Sequence, residues 1–227
     1  MLPCGSGALD GHGLDNPEES LMTRLIYSPA DTGLLLVDPY NDFLSEGGKL
    51  HGLAKPVADR IGALANLQAV VKAVRQAGVQ LFYVPHHRAR PDDMQSWGHP
   101  SPYQLDASRA QVFAAGSWGG EWHPDFQPQQ GDVLVHEHWG ASGFANTDLD
   151  LQLKQHRIAK VILVGMLANT CIESTARFAA ELGYHVTLVR DATAAFSEEA
   201  LHAAHEINGP TYAHAIVTTA ELIGALA

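Results

Sequence analysis

The chain has 227 residues, of which 46% are hydrophobic and 17% are charged, a composition typical of one globular domain and not of a disordered protein. Its net charge of −11 disfavours binding to nucleic acid or to an anionic membrane surface, because both require basic patches. The two cysteines, Cys4 and Cys171, are too few for a disulfide framework, so we expect a protein of the reducing cytoplasm.

Residues 1–24 are rich in glycine, proline and acidic side chains, which predicts a flexible N-terminal arm. This arm has neither the basic start nor the apolar core of a secretory signal, and no later apolar run is long enough to cross a membrane. We therefore expect a single domain over residues 25–227 and no catalytic role for Cys4.

Six short apolar runs predict β-strands. Most of them are continuous rather than alternating, as in strands that are buried on both faces of a parallel sheet. The runs are 33–38 (GLLLVD), 79–86 (VQLFYVPH), 132–138 (DVLVHEH), 160–165 (KVILVG), 185–192 (HVTLVRDA) and 214–219 (HAIVTT).

Segments with the spacing of amphipathic helices lie between these strands. The longest covers 56–78, where apolar residues recur at helical spacing. Gly78 is expected to cap the C-terminus of this helix. Shorter helices are predicted over 101–112, 147–156, 171–183 and 197–207, the last with Ser197 as N-cap. The alternation of strands and helices predicts an α/β fold, a three-layer α/β/α domain with a doubly wound, six-stranded parallel sheet.

The stretch at about 87–130 does not fit this alternation. It is rich in proline and contains Trp97, Trp118 and Trp122. An insertion of this length in a compact domain is usually functional, so we expect it to help close a pocket. Its aromatic surface also predicts a homo-oligomer, either a dimer or a tetramer.

Residues at the carboxyl ends of the predicted strands are the candidates for a site, because open parallel sheets bind their ligands there. The first strand ends at Asp38, the second at His86 and His87, and the third at His138; Cys171 follows the fourth. Neighbours on a strand face opposite sides, so at most one of the two adjacent histidines is expected at the rim. A carboxylate, an imidazole and a thiol, the last with a pKa lowered by the following helix, are the groups that acyl transfer needs.

Three segments resemble the isochorismatase-like cysteine hydrolases, which include isochorismatases, nicotinamidases, N-carbamoylsarcosine amidohydrolases and ureide hydrolases. They are LLLVDPYNDFL (34–44), EHWGASGFANTDLDLQL (137–153) and GMLANTCIESTARFAAELGYHVTLVRDA (165–192). The resemblance covers roughly residues 30–220. It implies an Asp–Lys–Cys triad, with Asp38 as the aspartate and Cys171 as the nucleophile. It also implies a cis peptide bond between Met166 and Leu167, which directs the N–H groups of Leu167 or Ala168 and of Cys171 at the substrate carbonyl.

The chain departs from the family's pattern at the lysine. Ser142 and Phe144 fix the alignment, and the lysine position, six residues before Phe144, is occupied by His138. No lysine lies between Lys72 and Lys154.

His138 is therefore expected to be the cationic partner, because its imidazolium form is favoured near Asp38 and a thiolate. Glu137 precedes it and is expected to face the opposite side of the strand. A bulge would reverse the two, so Glu137 remains the alternative third member of the triad.

These residues predict a cysteine hydrolase that cleaves a C–N bond of a small amide, ureide, hydrazide or cyclic imide through a thioester. Two alternatives remain, a catalytically quiet binding protein for small molecules and a vinyl-ether hydrolase that does not use the thiol. The residues expected to line the pocket are Tyr40, Phe43, His86, Trp118 and Trp139.

No cofactor and no metal ion are expected. The insertion contains His99 and His123, but no Asp-x-His triplet of the kind that nicotinamidases carry follows the second strand. A small-molecule substrate and further copies of the chain are the expected partners.

Overall fold

One sheet of six parallel strands organises residues 27–226, the part of the chain that the computed structural model describes. The predicted arm at 1–24 lies outside these residues. The strands are β1 (Thr32–Val37), β2 (Gln80–Val84), β3 (Val133–Leu134), β4 (Lys160–Met166), β5 (His185–Ala194) and β6 (Ala215–Val217). Their order across the sheet is β3-β2-β1-β4-β5-β6, so the prediction of a doubly wound parallel sheet is confirmed.

Helices cover both faces of this sheet. They are α1 (Asn41–Leu44), α2 (His51–Ile61), α3 (Ala63–Gln76), α4 (Pro102–Arg109), α5 (Leu149–Gln155), α6 (Glu173–Glu181), α7 (Glu198–His202) and α8 (Thr219–Ala225). Leu35 and Val37 of β1 belong to the core on the side of α5 and α6. Leu34 and Leu36 belong to the core on the side of α3 and α8. Both faces of the strand are buried, which explains why its sequence does not alternate.

The predicted helix over 56–78 is instead two helices. The first, α2, begins at His51 and contains Pro56, and the second, α3, ends at Gln76. Gly62 lies between them with a φ of +66°, a left-handed conformation that glycine adopts without steric cost. The apolar periodicity continues on both sides of the break, so the pattern alone could not reveal it.

Two helices contain π-helical turns that the sequence did not predict. Ala168–Ile172 forms such a turn ahead of α6, so Cys171 lies in this turn and not in the first turn of an α-helix. Ala203–Asn208 forms another after α7. The Ser197 side chain accepts a hydrogen bond from the Ala200 N–H at 3.1 Å, which confirms Ser197 as the N-cap of α7.

The third strand has two residues, fewer than the predicted run 132–138. Beyond it the chain still follows the sheet, because the N–H of His138 donates to the Pro85 carbonyl at 2.9 Å and His86 and His138 form an isolated parallel bridge. This pairing places His138 beside His86 at the carboxyl end of the sheet.

The insertion at 87–130 is fastened to the loop that follows β1. Asn41 donates from its side-chain amide to the Trp118 carbonyl at 2.9 Å. The buried carboxylate of Asp42 accepts the Phe113 N–H at 2.7 Å and the Lys49 N–H at 3.0 Å.

Among the described residues, no helix combines the length and the apolar character that crossing a membrane requires.

Candidate active site

Asp38 occupies the first position after β1 and turns the chain across the carboxyl end of the sheet. Its N–H donates to the Val84 carbonyl of the neighbouring strand at 3.2 Å, and its φ is +52°. A left-handed φ is uncommon outside glycine, although aspartate tolerates it better than most residues. The side chain is fully buried. A buried carboxylate requires partners, since leaving one unpaired costs several kcal/mol, about 3–5 in typical cases.

His138 is the first of these partners. Its Nε2 lies 3.2 Å from Asp38 Oδ1, and its Nδ1 lies 2.7 Å from the Gly140 carbonyl oxygen. A carbonyl oxygen can only accept, so Nδ1 carries a hydrogen, and Nε2 faces a carboxylate that favours a second one. Burial by itself lowers the pKa of His138, but the charge of Asp38 and these hydrogen bonds outweigh burial and raise the pKa above the ordinary histidine value. The geometry favours an imidazolium.

Cys171 is the second partner of Asp38. Burial raises the pKa of its thiol well above the usual range, and Asp38 raises it further by its charge and by accepting a hydrogen bond from the thiol. Asp38 Oδ2 is buried and has no hydrogen-bond partner among the described residues, so its lone pairs are unoccupied in this arrangement. The expectation of a thiol pKa lowered by a following helix is therefore wrong for this resting arrangement, because burial and the carboxylate dominate.

The ligand-type atoms of Asp38, His138 and Cys171 all lie within 4.8 Å of one another. Such a set can also hold a metal ion, provided that each group offers a lone pair. Both nitrogens of His138 face oxygen acceptors, so His138 would have to give up a hydrogen and its bond to Asp38 first. The arrangement favours a hydrogen-bonded triad, and the absence of a functional metal stays a prediction.

Glu137, the alternative third member, faces elsewhere. Its Oε1 accepts from the Arg88 guanidinium at 2.6 Å and its Oε2 from the Arg88 N–H at 3.0 Å. It is His138, not Glu137, that contacts Asp38.

Asp38 and Cys171 line a cavity of about 540 Å³, a size typical of small-molecule sites, whereas His138 is fully buried and does not line it. Three of the expected pocket residues line it, namely Phe43, His86 and Trp139. Tyr40 does not, because it is fully buried behind the wall, where its hydroxyl donates to the His86 carbonyl at 2.8 Å. Trp118 does not line it either and is 51% exposed.

Both adjacent histidines line the cavity, so the expectation that at most one reaches the rim is wrong. The regular strand ends at Val84, and the alternation of side chains does not apply beyond it. The His87 ring stacks on Trp139 with centroids 3.5 Å apart. Its nitrogens lie 2.7 Å from Asp93 and 3.2 Å from Glu137. Burial lowers the pKa of His87, but these two carboxylates raise it overall.

Other cavity residues were not predicted, because they come from segments without a recognisable motif. They are mainly apolar or small and polar, and they include Tyr103, Val112, Phe113, Thr170 and Phe196. The insertion supplies three of them. Only the length of the insertion indicated that it would contribute to a pocket.

The backbone beside Cys171 has the expected cis peptide bond, which joins Met166 to Leu167. Met166, Leu167 and Ala168 are all buried. Gly165 precedes them with a φ of +115° and lies so close to β1 that an added Cβ would be 2.1 Å from the Val37 carbonyl oxygen.

Comparison with known proteins identifies the family to which the chain is similar. The model of the isochorismatase domain matches residues 32–221. The chain is 32% identical over 176 residues to the ureidoacrylate amidohydrolase RutB of Rhizobium rhizogenes, covering 73% of this chain and 71% of that protein. It is 31% identical to the enzyme of the same name from Agrobacterium fabrum, covering 73% and 76%.

Solved structures show the same fold. A cysteine hydrolase from Pseudomonas syringae pv. phaseolicola superposes with a TM-score of 0.74 at 24% identity, covering 89% of this chain and 95% of that one. The N-carbamoylsarcosine amidase from Thermoplasma acidophilum superposes with a TM-score of 0.61 at 26% identity, covering 83% and 96%.

Proposed function

The chain belongs to the isochorismatase family, and on that premise we propose that it hydrolyses a C–N bond of a small amide, ureide, hydrazide or cyclic imide through a thioester on Cys171. The observation that carries this proposal is the convergence of Asp38, His138 and Cys171 within 4.8 Å, with Asp38 and Cys171 in the wall of a cavity. The names of the relatives, which are amidohydrolases and an amidase, support a C–N bond as the target.

Acylation begins with transfer of the thiol proton of Cys171 to Asp38, because the high pKa of the buried thiol keeps it protonated until substrate is bound. The thiolate attacks the carbonyl carbon. The N–H groups of Leu167 or Ala168 and of Cys171 hold the tetrahedral oxyanion. Asp38 then gives its proton to the leaving amine, and water hydrolyses the thioester.

His138 takes the place of the family's lysine. Its imidazolium holds Asp38 through Nε2 and offsets the negative charge that the thiolate brings into a buried site. The Gly140 carbonyl keeps the ring oriented through Nδ1. The His138 imidazolium is thereby held beside Asp38 and takes no part in removing the thiol proton. Asp38 carries out that proton transfer.

The cavity favours an uncharged acyl portion. Its described wall is largely apolar, and its carboxylates Asp93 and Asp106 are paired with His87 and Arg109, so the wall offers an anion no unpaired cation of theirs. The imidazole of His87, with its raised pKa, is held on both sides by carboxylates and is not available to bind another anion. A neutral amide or ureide fits this wall better than a substrate bearing a free carboxylate.

The test is a hydrolysis screen run with amides, hydrazides, cyclic imides and ureides, the last including 3-ureidoacrylate and its methyl ester. Ammonia release detects cleavage of primary amides and ureides, and chromatography of the products detects hydrazine release and imide ring opening. Cys171→Ala and Cys171→Ser are expected to abolish turnover while leaving the thermal transition nearly unchanged. Cys4→Ala is the matched control and is expected to retain full activity. If Cys171→Ala keeps more than about a tenth of kcat, a barrier change below ~1.4 kcal/mol, covalent catalysis is wrong.

The two alternative functions predict different outcomes in this screen. Tight binding of compounds without turnover by the wild-type chain indicates a binding protein. Cleavage of a vinyl ether that persists in Cys171→Ala indicates a hydrolase that does not use the thiol.

A further inference from the structure

The wall of the cavity contains an imidazole, that of His86, which has no role in the triad. His86 lines the same cavity as Asp38 and Cys171. Its ring centroid is 5.1 Å from that of His138, in an edge-to-face arrangement at 77°, and 5.4 Å from that of Phe113. The backbone bridge between His86 and His138 holds this position. The wall of the cavity therefore contains a group that can accept a proton.

The hydrogen bonding of His86 sets its tautomer. Nδ1 lies 2.9 Å from the His87 carbonyl oxygen, which can only accept, so Nδ1 carries the hydrogen. Nε2 then presents its lone pair, and it has no hydrogen-bond partner among the residues from 27 to 226. Burial lowers the pKa of His86, and the opposing charge of Asp38 does not compensate for it. His86 is thus neutral beside the charged His138, and Nε2 is free to take a proton from water.

We propose that His86 Nε2 is the general base that activates the water for hydrolysis of the thioester. This inference rests on the proposed function, because it concerns the second half of the same reaction. Water loses a proton to Nε2 as its oxygen bonds to the acyl carbon. The C–S bond then breaks, and the sulfur keeps the electron pair. The acid product loses its remaining proton, which returns to the sulfur through Asp38, and His86 releases the proton from water to solvent.

This assignment divides the proton transfers between two groups. Asp38 faces the thiol and is held by His138, so it serves the sulfur and the leaving amine. His86 carries no such bond on Nε2 and serves the water. The two histidines consequently have opposite protonation states, His138 charged and His86 neutral, as their different hydrogen-bond partners require.

The probe is 4-nitrophenyl acetate, because this ester acylates thiols readily and so makes deacylation limiting. Wild-type protein should show a burst of about one nitrophenolate per chain, followed by steady release. His86→Asn keeps an N–H donor near the position of Nδ1 but lacks Nε2. We expect it to show the same burst and a steady rate lower by about 100-fold, with the acetyl group on Cys171 visible by mass spectrometry.

The pH dependence of the steady rate is a second readout. A merely structural role of His86 would leave this pH dependence unchanged. The wild-type steady rate should rise with pH through the lowered pKa of His86, because the base must be neutral, and His86→Asn should lack this limb. His136→Asn is the matched control, since the His136 side chain is 79% exposed and does not line the cavity. It is expected to keep the limb and the wild-type burst.

The inference is overturned if His86→Asn deacylates at the wild-type rate, if its burst is slowed as much as its steady rate, or if His136→Asn accumulates the acyl-enzyme to the same extent. His86→Gln replaces His86→Asn if circular dichroism shows that the latter is unfolded, and the same outcomes apply. Failure of the proposed function looks different: neither wild-type nor variant protein forms an adduct on Cys171, and Cys171→Ala keeps its activity in the amide screen.

Discussion

At the scale of single residues, the proposed replacement of the family's lysine by His138 exchanges an ammonium for an imidazolium. A lysine remains charged across the physiological range, whereas a histidine titrates within it. His138 compensates through two acceptors, Asp38 and the Gly140 carbonyl, that stabilise its charged form in a fully buried position. The charge of the site is therefore maintained, but it depends on pH in a way that the family's lysine does not.

The activity is expected to fall as pH rises through the pKa of His138, because the imidazolium is the working form and its pKa is raised above the ordinary value. The same group contributes folding stability that is fully present below the unfolded pKa of about 6.5 and is lost as pH rises through the folded pKa. Profiles of kcat/KM against pH measure the first effect. Urea unfolding at several pH values measures the second.

Variants of His138 separate its charge from its shape. His138→Lys should move the alkaline limb upward by several pH units, since an ammonium titrates near about 10.4. His138→Gln should lose far more activity than Glu137→Gln, because Glu137 contacts Arg88 and not Asp38. A limb that stays in place in His138→Lys would show that another group is responsible.

At the scale of elements, the end of β4 decides where the nucleophile lies. Gly165 pairs with Val37 of β1, and its φ of +115° lies in a region that side chains disfavour. The close approach of the two strands leaves no room for a Cβ, which would be 2.1 Å from the Val37 carbonyl. Met166, Leu167 and the π-helical turn with Cys171 follow directly. The contact between β4 and β1 thus holds Cys171 beside Asp38.

Gly165→Ala is expected to destabilise the fold by about 3 kcal/mol or more, because both the backbone conformation and the packing oppose the new methyl group. Gly52→Ala in α2 is the matched control. A Cβ there meets nothing within 4 Å, and alanine favours helices, so a gain of about 0.5 kcal/mol or no change is expected. Urea or thermal unfolding of both variants checks this, and equal stability of the two would refute the steric argument.

At the scale of the whole molecule, the insertion is part of the fold and not an appendage. Asp42 and Asn41 bind its backbone, and Arg88 lies over the rings of Tyr40 and Trp122. Trp122 stacks on Tyr40 with centroids 5.1 Å apart, so it contributes little to the outer surface. Val112 and Phe113 of the insertion line the cavity. These contacts connect the pocket wall directly to the loop that carries Asp38.

The homo-oligomer remains a prediction, and the surface of the described residues is consistent with it. Trp118 is 51% exposed and Tyr103 is 59% exposed, both on the insertion. Large exposed apolar side chains of this kind commonly mark contact surfaces. Light scattering at micromolar concentration should give a dimer or tetramer, and Trp118→Ser should weaken it if this surface is the interface. A monomer throughout the accessible concentration range would reject the prediction.

The sequence by itself determined the class of fold, and it indicated the edge of the sheet where the candidate site and its proposed reacting groups lie. Continuous apolar strands predict a parallel sheet, and Asp38, His138 and Cys171 stand where strands end, so sequence order alone brings them to one edge. Alignment on Ser142 and Phe144 favoured His138 but left Glu137 as the alternative, and the contact of His138 with Asp38 in the structure favours His138. These features follow from the local sequence pattern and from the topology of parallel sheets, and few other folds are compatible with both.

Only the tertiary structure decided the protonation states, the cavity wall and the breaks in regular elements. The thiol of Cys171 has a raised pKa because of burial beside Asp38, and the tautomers of His86 and His138 depend on carbonyl groups of other residues. His87 reaches the cavity because β2 ends before it. Each of these depends on distances between segments that are far apart in the chain or on local backbone geometry, and neither leaves a periodic signal in the sequence.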